Sequence, residues 1–324
     1  MRIEQGTWTA MDGWSPSSPG ACADSAQLVF AFGATEILKQ NDILNSIHRM
    51  YPKAHILGCS TSGEICGTRV SDNSLVVTAV NFEFSQFNGT QVNLDEVDGS
   101  SYEAGVCLAR SLDQNDLMHV FLLSDGLNVN GSDLARGLVA QLPDNVKVTG
   151  GLAGDSDRFE ETVVVWDEAL RPKTIAALGL YGKRLRIGYG SLGGWDPFGP
   201  ERLVTRSRGN VLYELDGRSA LDLYKEYLGE HSSGLPATGL LFPLNLRHEE
   251  TKTAVVRTIL SIDEVEQSMT FAGDIPRGSY TRLMKANFDR LIDGAIGAAQ
   301  QCIDSTDAVS PQLAILISCV GRKQ

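Results

Sequence analysis

One stretch of this chain occurs twice, and that repetition constrains the fold more than any local pattern. Pro52-Lys-Ala-His-Ile-Leu-Gly-Cys-Ser-Thr-Ser-Gly-Glu64 returns as Pro143-Asp-Asn-Val-Lys-Val-Thr-Gly-Gly-Leu-Ala-Gly-Asp155. Each copy has a proline, a short β-prone run, small residues, and a glycine followed by an acid, which matches Gly63-Glu64 with Gly154-Asp155. The preceding text matches as well: Leu28-Val-Phe-Ala-Phe32 and His119-Val-Phe-Leu-Leu123 read as buried strands, each leading through a helical stretch to the proline. A duplication of this kind fixes the architecture before single elements are assigned. The unit reads strand, small-residue turn, helix, strand, then a loop ending in an acid.

In chain order, residues 1–26 are rich in Gly, Pro, Ser and Trp and predict irregular structure. The duplicated region covers 27–190, with copies at 27–97 and 119–185. Asp42 to Met50 predicts a helix presenting Ile43, Leu44 and Ile47 on one face; Ser101 to Asp113 predicts another, and a third begins at Ser132 or Asp133. Strands are expected at Ser74–Phe82, Thr90–Leu94, Thr162–Trp166, Thr174–Tyr181 and Leu185–Gly190. The Gly-rich run Gly193–Pro200 marks a boundary to a second domain, 191–324, with hairpin strands near Arg202–Leu215, paired strands at Ala254–Leu260 and Ser268–Phe271, and a long helix over Ser279–Ile303. Leu313–Gly321 looks like an opening strand with nothing after it, which predicts a C-terminal domain cut short. The fold class is α/β to α+β: duplicated strand-helix-strand units in mixed sheets with helices, in two domains.

Composition excludes several functions. At 324 residues the chain suits about two domains of roughly 150 residues. A net charge of −12 opposes binding to nucleic acid or an anionic membrane, whose phosphates need Lys and Arg. No run approaches the roughly 18 apolar residues of a membrane span, and the start lacks a signal-peptide pattern, so a cytoplasmic location is expected. Six scattered cysteines with no C-x-x-C pair read as reduced and buried, Cys319 in its apolar run among them.

The candidate chemistry is sparse. Gly58-Cys-Ser-Thr-Ser-Gly63 is not a G-x-S-x-G elbow, and its duplicate has no nucleophile, so the segment reads first as a tight loop whose N–H groups could face a ligand. The alternative is a small-molecule enzyme using Cys59 or Asp125. Asn128-x-Asn130-Gly131 hints at a calcium loop, but Gly126 and Gly137 occupy the first and twelfth ligand positions, which rules it out. The five histidines, His48, His55, His119, His231 and His248, share no short metal spacing. His231 and His248 flank an apolar Gly/Pro stretch, where either could be an axial ligand to a buried cofactor.

Taken together, Gly58-Cys-Ser-Thr-Ser-Gly-Glu-Ile65, Leu123-Ser-Asp-Gly126, Gly150-Gly-Leu-Ala-Gly-Asp155, Phe198-Gly-Pro200 with Val204-Thr205, Leu215-Asp-Gly217 and Phe242-Pro-Leu244 occur in the order seen in FIST proteins, and the chain resembles a FIST N domain followed by a FIST C domain over about Gln27 to Lys323. The resemblance implies a sensory, ligand-binding module of bacterial signal transduction that regulates a partner histidine kinase or cyclic-di-GMP enzyme. One branch of the family comprises nitric-oxide-sensing haem proteins, so haem is a candidate cofactor, with His231 and His248 as candidate ligands. The small-molecule or gas site is expected on Cys59, Ser60, Thr61, Ser62, Gly63 and Glu64, on Asp125, on Gly150, Gly151 and Asp155, and on Trp195 and Asp196 at the junction between domains.

Overall fold

The computed structural model describes residues 1–18, 20–247, 254–306 and 310–323. The chain divides into two compact units, one made of Met1–Val129, Leu134–Ile187 and Thr306–Ser318, the other of Asn130–Asp133, Gly188–Ser305 and Cys319–Gln324.

The first unit contains β1 (Arg2–Thr9), β2 (Gly13–Ser15), β3 (Leu28–Gly33), α1 (Thr35–Leu38), α2 (Asn41–Met50), β4 (His55–Ser60), the hairpin β5 (Glu64–Cys66) and β6 (Arg69–Ser71), β7 (Ser74–Asn81) and β8 (Gln86–Asn93). It continues with α3 (Ser101–Ser111), β9 (Leu117–Ser124), α4 (Gly131–Val139), β10 (Lys147–Leu152), β11 (Val164–Trp166), β12 (Glu168–Ala169) and β13 (Thr174–Tyr181). The first sheet runs β12-β11-β4-β3-β7-β1-β2 and the second β10-β9-β13-β8. Within each, one strand pair is parallel (β3 with β4, β9 with β10) and the neighbours are antiparallel, so both sheets are mixed.

The two sheets repeat one order, β4-β3-β7-β1 and β10-β9-β13-β8. The ladders β1–β7 and β8–β13 each pair eight residues, Arg2–Thr9 with Asn81–Ser74 and Gln86–Asn93 with Tyr181–Thr174. The structural repeat therefore begins at β1, so the expectation of irregular structure over 1–26 fails at Arg2–Thr9 and Gly13–Ser15. The alternating residues Arg2-Ile-Glu-Gln-Gly-Thr-Trp-Thr9 form a strand along β7. By the same logic β8 opens the second copy rather than closing the first. The first sheet adds β2 at one edge and β11 with β12 at the other, and β11 follows β10 in the chain but pairs with β4 in the other sheet.

Helices cover one face of each sheet. Ile43, Leu44 and Ile47 of α2 pack with Val29, Ala31, Ile56 and Val77 under the first sheet. Leu134 and Leu138 of α4, with Ala104 and Leu108 of α3, pack on Val120, Leu122 and Ile175 of the second. The remaining faces meet each other: Leu28, Phe30, Leu57, Cys59 and Val80 pack against Phe121, Leu123, Ala176 and Leu178. Strands covered on both faces need near-continuous apolar sequence, which explains Leu28–Phe32 and Val120–Leu123. Close strand approach selects glycine at two matched places: a Cβ on Gly58 would lie 1.8 Å from the Ala31 carbonyl oxygen, and one on Gly150 would lie 1.9 Å from that of Leu122.

The second unit contains β14 (Trp195–Arg208), β15 (Val211–Leu215), β16 (Arg218–Ser219), α5 (Ala220–Leu228), β17 (Leu244–Arg247), β18 (Ala254–Arg257), β19 (Ile259–Asp263), β20 (Ser268–Phe271), β21 (Tyr280–Ala286) and α6 (Phe288–Asp304). Its sheet follows the order β18-β17-β21-β14-β15-β20-β19, with β16 against β15, and α5 buries Leu221, Leu223, Tyr224 and Leu228 on it. Ser219 caps α5 by accepting the Asp222 N–H, and Gly229, at φ +56°, ends it.

Several expectations differ from what the second unit shows. Gly193–Pro200 is not simply a loop, because Trp195 onward starts the long strand β14 against β21. The single helix over 279–303 is a strand followed by a helix: Tyr280–Ala286 pairs with β14 and β17 and buries Thr281, Leu283 and Met284, and Asn287 then caps α6 by accepting the Arg290 N–H. The run Ala254–Leu260 breaks at Thr258, its first half pairing with β17 and its second with β20. Leu185–Gly190 forms no strand. Leu313–Gly321 forms none either; Leu313 and Ile315 rest on the inter-sheet core of the first unit, and Cys319 is exposed. The α4 cap is Asn130, whose Oδ1 accepts the Ser132 N–H at 3.0 Å, rather than Ser132 or Asp133.

Phe30 and Phe121 meet edge-to-face at 5.9 Å across the two sheets. Phe121→Ala is expected to cost about 3–5 kcal/mol, the range for a truncated buried aromatic, measured by urea denaturation.

Candidate functional site

The duplicated loops leave the carboxyl ends of two parallel strand pairs, the place where open α/β sheets usually present ligand sites. Their hydrogen bonds match: Ala34 N–H donates to the Ser74 carbonyl as Asp125 N–H donates to that of Thr174, and Thr61 N–H donates to Gly33 as Ala153 N–H does to Ser124. This register aligns Thr61 with Ala153 and so Ser62 with Gly154. The sequence match of Glu64 with Asp155 is therefore displaced by one residue, and Asp155 stands opposite Gly63.

The two loops touch. Gly154 N–H donates to the Ser60 carbonyl at 2.8 Å, and Ser156 N–H donates to Ser62 Oγ at 2.9 Å. Ser60, fully buried, also accepts the Val163 N–H on its hydroxyl at 2.9 Å, while its own N–H donates to the Val163 carbonyl. Ser60 thus joins β4, the second loop and the approach to β11. A side chain on Gly154 would meet Ser62 Oγ at 2.6 Å, so glycine permits the contact.

Asp155 and Glu64 occupy different environments. Asp155 Oδ1 accepts the Thr35 hydroxyl at 3.0 Å and the Arg158 guanidinium, and Oδ2 accepts the N–H groups of Glu160 and Glu161. Burial alone would raise its pKa, but the Glu161 N–H, Arg158, Thr35 and the Glu160 N–H outweigh it and hold the carboxyl below its ordinary 3.8. Lys39 and Glu161 form an ion pair at 2.7 Å beside this group. Glu64 Oε1 accepts the Thr61 hydroxyl at 2.7 Å, and Oε2 accepts the Ser74 hydroxyl at 2.6 Å and the Ser74 N–H at 3.2 Å. Here burial wins over the hydrogen bonds, and the carboxyl is raised above its ordinary 4.5. No cation faces it among those contacts.

The other expected residues have structural settings. Cys59 is buried on the inter-sheet face and burial pushes its thiol up to about 12, the reverse of what a nucleophile needs. Asp125 accepts four donors: the N–H groups of Leu127, Asn128 and Lys173 and the Asn128 side-chain amide. Oδ1 is occupied by the turn that Asp125 organises and Oδ2 by the Lys173 N–H, so neither group suits the enzyme alternative. Gly150 lies against Leu122 and Gly151 against Ile317. Trp195 and Asp196 belong to the second unit, where Asp196 accepts the Asn287 amide at 2.6 Å and pairs with Arg290 at 2.9 Å, fixing the start of α6. His231 is exposed on the turn Gly229–Gly234, and His248 lies outside the described residues. Buried His119 donates to or accepts from Thr149 at 2.7 Å, and burial lowers its pKa to about 4.

Sequence reasoning missed Thr35, Ser74, Lys39 and Arg158. Thr35 carried one usable signal, its place directly after the small-residue turn closing β3; Arg158 lies three residues past Asp155 in the same loop, while Ser74 and Lys39 make their contacts only through tertiary folding.

Comparison with known proteins places this chain in a family. Residues 27–218 match the FIST N domain and residues 220–324 the FIST C domain. Those matches meet near residue 219, whereas the compact units change over at Ile187–Gly188, so β14 to β16 fall in the N match and the second unit. The chain is 22% identical over 322 residues to the uncharacterized protein MJ1623 of Methanocaldococcus jannaschii, covering 91% of this chain and 60% of that protein's length. A chorismatase crystal structure aligns with 88% of this chain and 98% of its own at 12% identity and a TM-score of 0.27, a likeness too distant to bear on fold or chemistry.

The carboxylates give opposite pH signatures. Asp155 has a depressed folded pKa, so its stabilisation is complete above about 3.8 and lost as pH falls through the lower folded value. Asp155→Asn should cost about 1–3 kcal/mol at pH 7 and progressively less in acid, read from urea midpoints. Glu64 has a raised folded pKa, so its protonated form favours the fold, and wild type should lose ground to Glu64→Gln as pH climbs from 4.5. A thiol reagent at pH 8 should label exposed Cys107 and Cys319 and leave Cys59 unmodified in the native protein.

Proposed function

Because the chain belongs to the FIST family through both its N and its C domain, we propose that it is a sensory module that binds a small polar ligand where the duplicated loops of the first unit meet. FIST domains are ligand-binding sensory or signalling domains, and no helix among the described residues is long and apolar enough to cross a membrane. The observation that carries the reading is the contact of Gly154 with Ser60 and of Ser156 with Ser62 at the carboxyl ends of both strand pairs. Thr61, Ser62 and Arg158 are partly exposed at that seam and offer hydroxyl and guanidinium groups, while Ser60, Glu64 and Asp155 are buried and hold the loops in place.

A ligand that engages Arg158, or competes for the Ser156 N–H, favours one arrangement of the seam over another. A partner with differential affinity for the two arrangements then responds, and the ligand need supply only that difference in free energy. The partner proposed is a cytoplasmic histidine kinase or cyclic-di-GMP enzyme. Backbone ties between the loops make the response collective, because Ser60 cannot move without disturbing both Gly154 and Val163.

A haem-based, nitric-oxide-sensing version requires an imidazole facing an enclosed pocket. His231 is exposed, its ring 5.9 Å from that of Phe242, and it does not line the apolar cavity of the second unit. The residues around His231 do not fit haem, and no step is assigned to it.

Native mass spectrometry of the chain as purified should show a bound small molecule that Arg158→Ala and Ser62→Trp no longer retain. A bare wild-type mass, with no melting shift across a metabolite panel, would overturn the proposal. Added hemin should keep its free spectrum; a sharp Soret band abolished by His231→Ala would restore a haem site.

A further inference from the structure

The helix α6 turns its large side chains outward. A surface helix ordinarily buries its apolar stripe and exposes its polar face, yet only Leu291 and Gly294 of α6 are buried. Phe288, Ile292 and Ile296 stand 68%, 60% and 64% exposed. They recur every four residues, and Ala295 and Ala299, also exposed, fill the positions between them. At 3.6 residues per turn these five share one face, an apolar stripe about three turns long.

Backbone packing fixes that orientation. The segment 190–194 lies against the inner side of α6 at glycine distance. A Cβ on Gly190 would stand 1.9 Å from the Ala298 carbonyl oxygen, one on Gly194 2.3 Å from that of Arg290, and one on Gly294 2.2 Å from that of Gly193. The Arg322 guanidinium donates to the Leu291 carbonyl at 3.3 Å on the same side. The helix cannot roll to hide the stripe without driving side chains into these contacts. A fixed, exposed apolar stripe of this kind marks an interaction surface.

Charge selects what covers it. One border of the stripe carries Asp289, Asp293 and Asp304, all exposed, while the other is formed by Ala295. The one cation of α6, Arg290, is paired with Asp196 at 2.9 Å, and the last turn has no basic residue to offset the carbonyl end of the helix. A second copy supplies no counter-charge. Antiparallel copies set their aspartate rows side by side, parallel copies set each row against neutral Ala295 and Phe288, and each chain carries a net charge of −12. An anionic lipid surface is repelled for the same reason. A helix whose apolar seam is flanked by lysine or arginine matches stripe and border at once.

We propose that the outer face of α6 docks an amphipathic α-helix of a partner protein, whose apolar side chains pack between Phe288, Ile292 and Ile296 and whose basic row meets Asp289 and Asp293. The surface lies wholly in the second unit and shares no residue with the loop seam, so it stands whether or not the seam holds a ligand. The packing is helix on helix, with side chains four apart gripping the facing stripe.

The test is fluorescence anisotropy of a labelled synthetic peptide, three repeats of Leu-Ala-Ala-Leu-Lys-Ala-Lys, titrated with the full chain, beside analytical ultracentrifugation of the full chain alone. Saturable binding is expected, at least tenfold tighter than that of the same peptide with Glu for Lys. It should also be at least tenfold tighter than that of a scramble of its own composition, which separates docking from attraction by net charge. Ile296→Asp should weaken it at least tenfold, and Asp289→Lys with Asp293→Lys should turn the preference toward the Glu peptide. No saturable binding, equal binding of the scramble, or binding unaltered in folded Ile296→Asp would each overturn the proposal. So would a wild-type dimer that Ile296→Asp converts to monomer, which assigns the stripe to a second copy, or adsorption to phosphatidylglycerol vesicles that Ile296→Asp abolishes, which assigns it to lipid. The peptide comparisons use wild type alone, so they decide the matter even where a variant does not fold.

Discussion

Two sheets that each carry helices on one side must bury their other side, and in the first unit they bury it against each other. The contact of Phe30 with Phe121, ringed by Leu28, Leu57, Val80, Leu123 and Leu178, removes the apolar faces of both copies from water at once. Several buried polar groups of this unit accordingly lie at the strand ends. Ser60, Glu64, Asp125 and Asp155 are buried there, each supplied with hydrogen-bond donors, and at Glu64 the cost of burial outweighs them in its protonation balance. The seam between the loops is thus a by-product of hydrophobic closure as much as a built recognition surface.

The same closure explains why two similar acids behave differently. Asp155 lies near a helix start and an arginine, with two backbone N–H groups on one oxygen. Glu64 sits in a hairpin whose neighbours are hydroxyls and a single amide. The local sequence makes them look like counterparts, but the strand register shows they are not. Their one-residue displacement puts one carboxylate at the junction of the copies and the other at the root of β5.

The duplication, the buried strands and α2 were legible because each depends on local periodicity or on repetition. The first strand was not: Gly6 and the Pro/Ser-rich run after Trp14 hide its alternation, and its identity depends on pairing with β7, more than sixty residues away in sequence. Tyr280–Ala286 reads as helix from sequence because Leu283 and Ala286 also satisfy a helical spacing, and only the cap at Asn287 separates strand from helix. In the candidate site, the loop residues were legible from their small, repeated pattern. Ser74 was not, since it arrives from a segment with no mark of the contact, and Arg158, three residues past Asp155, reads locally as one more loop charge.

The stray strand β11 has a consequence for how the first unit holds together. The two copies adjoin at the short connection Phe82–Ser85, so a nick there would divide the unit into two pieces of the same strand order. Neither piece is self-contained, because the later one donates β11 to the edge of β4, where Val164, Val165 and Trp166 bond to Cys59, Gly58 and Leu57. The pieces are tied by main-chain ladder as well as by oily surface, which gives the pair the grammar of a split protein: two polypeptides that complement one another only in a single orientation.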